Sequence, residues 1–202
     1  MNSPLSICIA FAGTRKIAAG NLREVALRAK EVFDQDPWAQ VLIFDDESSK
    51  LIEIDFRGTA EDLCQRISTM SCMETKMGEA AQPEEAEKRP GRPRLGVVGR
   101  EVTLLPRHWE WLANQPGGAS VALRKLVEQA RLANRGRDRR RLAQEAAYRF
   151  LSAMAGNEPG FEEAIRALFA GDRERFHALA EPWPLDIRDH ALRLADRAFG
   201  NA

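Results

Sequence analysis

Three cysteines, three histidines and one tyrosine are all that 202 residues contain of the side chains that most often serve metal, redox and nucleophilic chemistry. Cys8, Cys64 and Cys72 are odd in number and lack Cys-x-x-Cys spacing, which argues against a disulfide framework and predicts reduced thiols in a cytoplasmic setting. His108, His177 and His190 never fall four residues apart. No cysteine follows residue 72, so His108-Trp109-Glu110 lacks the downstream thiolates that a zinc deaminase needs. The phosphate-cradling P-loop and the Gly-x-Ser-x-Gly elbow are both missing. The expectation is therefore a binding protein without cofactor or metal, not an enzyme. Long apolar runs are missing too. Nothing approaches the ~18 continuous apolar residues of a membrane span, and no basic segment precedes the short apolar run in the first twelve residues, so neither a membrane helix nor a signal peptide is expected.

Net charge is also absent, with 30 Lys and Arg against 30 Asp and Glu, but the balance hides a strong asymmetry. Residues 1–87 hold 9 basic against 16 acidic side chains, a net of −7. Residues 88–149 hold 15 against 5, a net of +10, and residues 150–202 hold 6 against 9, a net of −3. A block of one sign this dense predicts a polyanionic partner, DNA above all, or an acidic protein surface.

The apolar pattern predicts an α+β protein. Residues 1–68 read as a compact β-α-β-β-α unit. Ile7, Ile9 and Phe11 alternate as a strand, and Asn21 with Glu24 opens a helix carrying Leu22, Val25, Ala26, Ala29, Val32 and Phe33 on one face. Asp36-Pro37 closes that helix. Val41–Phe44 and Leu51–Phe56 read as two strands around a solvated Asp45–Lys50 tip, and Thr59 caps a short helix with Leu63, Cys64 and Ile67. Residues 69–99 read as a flexible linker, acidic and then basic, with too few apolar residues to offset its ordering entropy. Residues 100–134 read as a strand (Glu101–Leu105), a helix opened by Pro106, a Pro116-Gly117-Gly118 turn and a second helix. Residues 135–202 read as further helices: Arg139 to Ala155, Phe161 to Ala170, Arg173 to Ala180, and one after Trp183-Pro184. Arg131, Arg135, Arg137 and Arg139-Arg140-Arg141 form a basic cluster at the expected junction between two of these helices.

The order strand, helix, glycine turn, helix over residues 100–132 resembles the ribbon-helix-helix family of DNA-binding proteins. Val102-Thr103-Leu104-Leu105-Pro106 and Gly118-Ala119-Ser120-x-Ala122-Leu123-Arg124 carry the likeness. The resemblance implies a homodimer whose paired strands lie in the major groove and whose second helix points its N-terminus at a phosphate. The site residues it implies are Arg100 and Thr103 on the ribbon, Gly118 and Ser120 at the phosphate, and Arg124 and Lys125 beside it. In one strand phase Arg100, Val102 and Leu104 face outward, and in the other Glu101, Thr103 and Leu105. Lys88-Arg89-Pro90-Gly91-Arg92-Pro93-Arg94 resembles an AT-hook, with Pro90 where an arginine usually precedes the core glycine. That likeness implies a minor-groove arm in which Lys88, Arg89, Arg92 and Arg94 contact A·T-rich DNA. The second functional reading is a protein–protein adaptor, its basic centre docking an acidic partner or its own N-terminal unit. Finally, Arg100-Glu101-Val102-Thr103-Leu104-Leu105-Pro106-Arg107-His108-Trp109-Glu110-Trp111-Leu112, with Pro116-Gly117-Gly118-Ala119-Ser120, is similar to a family of uncharacterised bacterial proteins, a likeness that brings a bacterial source but no activity.

Overall fold

The computed structural model describes residues 7–79 and 100–200. Three strands and seven helices follow in the order β1 (Cys8–Ala12), β2 (Arg15–Gly20), α1 (Leu22–Gln35), β3 (Val41–Asp45), α2 (Ala60–Glu79), α3 (Pro106–Ala113), α4 (Gly118–Met154), α5 (Phe161–Ala170), α6 (Arg173–Ala180) and α7 (Leu185–Phe199). The chain is α+β, with its sheet at the N-terminus and its second half mostly helical. It divides into two compact units: the described residues of Met1–Ala81 with Asp138–Ala202, and those of Gln82–Arg137. The expected boundary at residue 134 thus falls inside one continuous helix, α4. Among the described residues no helix is long and apolar enough to cross a membrane.

In the first unit, β1 is the central strand of an antiparallel sheet ordered β2-β1-β3. Gly13, at φ +56, supplies the backbone conformation that the two-residue β1–β2 turn requires. Both faces of β1 are buried, and the period-two alternation of a strand sorts its side chains by size. Cys8 and Ala10, with Ile43 of β3, pack against Val25, Ala26 and Ala29 of α1 and Leu63 of α2. Ile9 and Phe11, with Phe44, pack against Phe150 and Leu151 of α4 and a layer formed by α5, α6 and α7. The Phe150 ring lies 5.4 Å from both Phe11 and Phe44, tilted against the first and edge-to-face with the second. The C-terminal helices therefore form the second wall of the N-terminal sheet.

Local signals set the helix ends. The Asn21 side chain accepts from the Glu24 amide at 2.9 Å, and Asp36 ends α1 before Pro37. Thr59 and Asp62 cap each other, Thr59 N–H donating to the Asp62 carboxylate at 2.9 Å and Asp62 N–H to the Thr59 hydroxyl at 3.2 Å. Four sequence expectations change. Arg15–Gly20, which shows no alternation, is the strand β2, so the N-terminal order is β-β-α-β-α. Leu51–Phe56 joins the sheet only through the Leu51–Phe44 bridge and the Ile52 N–H to Ile43 carbonyl bond, although Ile52, Ile54 and Phe56 do turn inward onto the α1 side of the core. Helix α2 runs on to Glu79, so residues 69–79 of the expected linker are helical; the remainder, 80–99, lies outside the described residues. Glu101–Leu105 forms no strand, since no second strand lies alongside it among the described residues.

The tip at Asp45–Lys50, read from sequence as solvated, is held by arginines from two helices. Asp45 is buried and accepts from the Ser48 amide and hydroxyl. Arg193 bonds the Asp46 carboxylate through both terminal nitrogens, Arg197 donates to it at 3.1 Å, and Arg149 donates to the Ser48 carbonyl at 2.9 Å. Burial alone would raise the Asp46 carboxyl; Arg193 and then Arg197 outweigh it and hold it at about 2. Beside this cluster His190 is buried against Phe150 (4.4 Å) and Phe11 (5.7 Å). Its Nδ1 lies 2.8 Å from Arg193 Nη2, and a guanidinium only donates, so the imidazole is the neutral tautomer with its proton on Nε2. Burial, then the Arg193 charge, push its pKa down to about 4.

This sets a pH dependence. The unfolded chain takes up a proton on His190 near pH 6.5 and the folded chain only near 4, so the stability that neutral His190 contributes is complete above pH 6.5 and is lost as pH falls through 4. Unfolding by urea at a series of pH values is expected to show a decline of roughly 3 kcal/mol across that window. Asp46 adds a further decline only below its ordinary value of 3.8. In His190→Leu the decline between pH 6.5 and 4 should largely vanish; an unchanged slope in that variant would contradict the assignment.

Candidate nucleic-acid interface

The second unit is built on the hairpin of α3 and α4. Pro106 opens α3 at a position where a missing N–H costs nothing, and the side-chain amides of Asn114 and Gln115 close it by donating to the Glu110 and Trp111 carbonyls at 3.0 and 3.2 Å. The turn to α4 needs two consecutive glycines. Gly117 has φ +85 and a Cβ there would stand 3.2 Å from the Val121 side chain, while Gly118 has φ +75. Leu112 of α3 and Ala122 of α4 are buried.

Helix α4 continues without interruption through Gly136 to Met154, so the expected junction at the arginine cluster does not exist. A single glycine in a helix interior costs about 1 kcal/mol, too little to break a long run of Ala, Leu, Arg, Gln and Glu. Continuity places Arg124, Arg131 and Arg135, at spacings of seven and four, along one stripe of the helix. Leu123, Leu126, Val127 and Ala130 form an apolar stripe beside it, about a third of a turn around the helix.

Residues 100–137 contain seven basic side chains (Arg100, Arg107, Arg124, Lys125, Arg131, Arg135, Arg137) against three acidic ones (Glu101, Glu110, Glu128), and all seven basic residues are exposed. Arg131 is paired, bonding both oxygens of Glu128 at 2.7 and 3.0 Å and holding that carboxyl below its ordinary range. The other six have no carboxylate partner among the described residues. Beyond the unit border, Arg141 pairs with Asp138 and Glu145.

The start of α4 reverses the usual electrostatic arrangement. A helix N-terminus carries a partial positive charge and unpaired amides, and proteins commonly place Asp or Glu there. The first turn of α4 has no acidic residue. Instead Arg124 folds back onto it, Nε donating to the Ser120 carbonyl and Nη2 to the Ser120 hydroxyl, both at 3.1 Å, with Lys125 next in sequence. A cation held at the positive end of a helix is electrostatically unfavourable in the isolated fold.

Of the residues singled out by sequence, Gly118, Ser120, Arg124 and Lys125 come together in the first two turns of α4. Arg100 and Thr103 are exposed in the irregular run before α3. Lys88, Arg89, Arg92 and Arg94 lie outside the described residues. The stripe formed with Arg131 and Arg135 was missed as a unit, because the helix was expected to break between them; the absence of proline from residues 118–154 was the available signal. Neither the curated proteins nor the solved structures contain a significant match to this chain. The family model described as "Uncharacterized protein conserved in bacteria (DUF2239)" matches residues 7–195, and the chain belongs to that family.

Proposed function

We propose that this protein binds nucleic acid, DNA in the first instance, through the basic segment of residues 88–137. The observation that carries the reading is the start of α4, where Arg124 folds back onto Ser120 in a first turn that has no acidic residue, with Lys125 next in sequence. That arrangement works against the stability of the isolated chain and in favour of a phosphate. The remaining exposed cations extend it: Arg131 and Arg135 follow along the same helix, and Arg100 and Thr103 stand at the entry to α3. In this reading Ser120 and the amide of Gly118's turn meet the phosphate, Arg124 and Lys125 flank it, and Lys88, Arg89, Arg92 and Arg94 form an arm that follows the backbone into the minor groove. Such contacts position the protein on DNA; base readout would fall to Arg100 and Thr103. A regulator of transcription is the role this would suit.

Ser120→Asp separates binding from folding. A carboxylate in the first turn suits the helix dipole, so thermal stability should rise slightly, by about 0.3–1 kcal/mol, while affinity for a short duplex measured by fluorescence anisotropy falls at least tenfold. Unchanged affinity would remove α4's N-terminus from the interface. For the arm, Arg92→Ala with Arg94→Ala should weaken binding most on A·T-rich duplexes, where a narrow minor groove concentrates negative potential. An equal loss on A·T-rich and G·C-rich duplexes would mean that these arginines touch phosphates alone.

A further inference from the structure

We infer that the groove between α3 and α4 is the docking site for an amphipathic helix of another protein, apolar along one face and acidic along its edge. The inference stands independently of nucleic-acid binding. Among residues 100–137 only Leu112 and Ala122 are buried, so the α3–α4 hairpin leaves most of its apolar side chains uncovered. An open groove of about 270 Å³, lined by Leu104, His108, Trp111, Leu112, Leu123 and Leu126, runs between the two helices. That volume is smaller than the ~300–1,000 Å³ of pockets that enclose small ligands. The apolar row also continues past it along α4, where Leu123, Leu126, Val127 and Ala130 repeat at i, i+3, i+4 and i+7. Trp111 stays 52 % exposed, Leu126 43 % and Val127 63 %. A row of this spacing, about 10 Å long, is the surface that the matching ridge of another helix packs against.

Charge identifies the occupant. Arg124, Arg131 and Arg135 run beside the apolar row, about a third of a turn around α4, and Arg107 directly precedes the lining residue His108. Arg107, Arg124 and Arg135 have no carboxylate partner among the described residues, and Glu128 is taken by Arg131. The other two carboxylates of residues 100–137, Glu101 and Glu110, belong to the α3 side of the hairpin and leave the arginine flank of α4 uncompensated. A helix that lays apolar side chains into the groove therefore meets that flank favourably with carboxylates and unfavourably with ammonium groups. A second copy of this chain is the wrong partner on this count, since it brings the same seven basic against three acidic side chains to a face that is already cationic. A nucleic-acid backbone matches the arginines and leaves the apolar row in water.

The test uses the full chain and a synthetic helix of about 18 residues, five turns long, with leucine at i, i+3, i+4 and i+7 spacing and glutamate at the flanking positions. A second peptide carries lysine in place of every glutamate. Fluorescence anisotropy of the labelled peptides should give a dissociation constant below about 100 µM for the glutamate peptide and binding at least about tenfold weaker for the lysine peptide. Leu126→Glu puts a carboxylate into the groove and should weaken the glutamate peptide by about tenfold or more. Its far-ultraviolet helicity should not change, because residue 126 belongs to neither core of the first unit. Arg124→Glu with Arg135→Glu should reverse the preference, the lysine peptide now binding more tightly, a result that misfolding cannot produce. No binding of the glutamate peptide, equal binding of the two peptides, or binding that Leu126→Glu leaves intact would each overturn the inference. A doubled chain mass in light scattering that Leu126→Glu abolishes would overturn it in favour of a second copy, and capture by anionic phospholipid vesicles that the same variant abolishes would overturn it in favour of a membrane surface. None of these measurements contains DNA, so failure of this proposal and failure of nucleic-acid binding give different results.

Discussion

The fold of the first unit depends on burying β1 on both faces. A three-stranded sheet with Cys8 and Ala10 on one side and Ile9 and Phe11 on the other has two apolar surfaces to cover. The N-terminal segment supplies a single layer, α1 with the start of α2, and the small side chains on that face let α1 approach closely. The large side chains on the other face meet Phe150, Leu168, Phe176 and Leu194 from helices more than a hundred residues further along the chain. Even the exposed edge of the sheet is finished by these helices, for the Lys16 amide on β2 donates to Asp186 of α7 at 2.8 Å.

Arginine has opposite fates in the two units, and the contrast is what gives the basic segment meaning. In the first unit Arg193 and Arg197 neutralise Asp46, Arg149 fastens the Ser48 carbonyl, and Arg66 donates to the Asp55 carbonyl at 2.9 Å. These guanidinium groups take up polar atoms that the fold would otherwise leave unsatisfied. In the second unit Arg100, Arg107, Arg135 and Arg137 bond no carboxylate among the described residues, and Arg124 adds charge where a helix already has a positive end. One helix, α4, holds both kinds of sequence: its C-terminal turns supply Ala147, Phe150 and Leu151 to a core, and its N-terminal turns carry cations and uncovered apolar side chains.

What was legible in the sequence was whatever a few neighbouring residues decide. The Asn21 and Thr59 caps, the stop at Asp36-Pro37, and the bounds of α5 and α6 follow from side chains within one turn of the position they control. The alternation over Leu51–Phe56 correctly marked which side chains turn inward, but alternation reports an extended chain and not its hydrogen-bond partner, so the segment was overread as a strand. Arg15–Gly20 was missed for the converse reason: an edge strand with Arg, Lys and two alanines has little pattern, and β1 alone makes it a strand. The Asp46 cluster was illegible because its partners lie 147 and 151 residues away. At the candidate interface the cations could be counted from composition; their shared stripe required knowing that α4 does not break.

Salt dependence of affinity for a short duplex tests phosphate contact most directly. If the cations of residues 88–137 engage six or more phosphates, log affinity should fall linearly with log salt and lose about three decades or more between ~50 and ~200 mM. An affinity that stays level across that range would contradict the account, because no interface made of guanidinium groups on phosphates is indifferent to counterions.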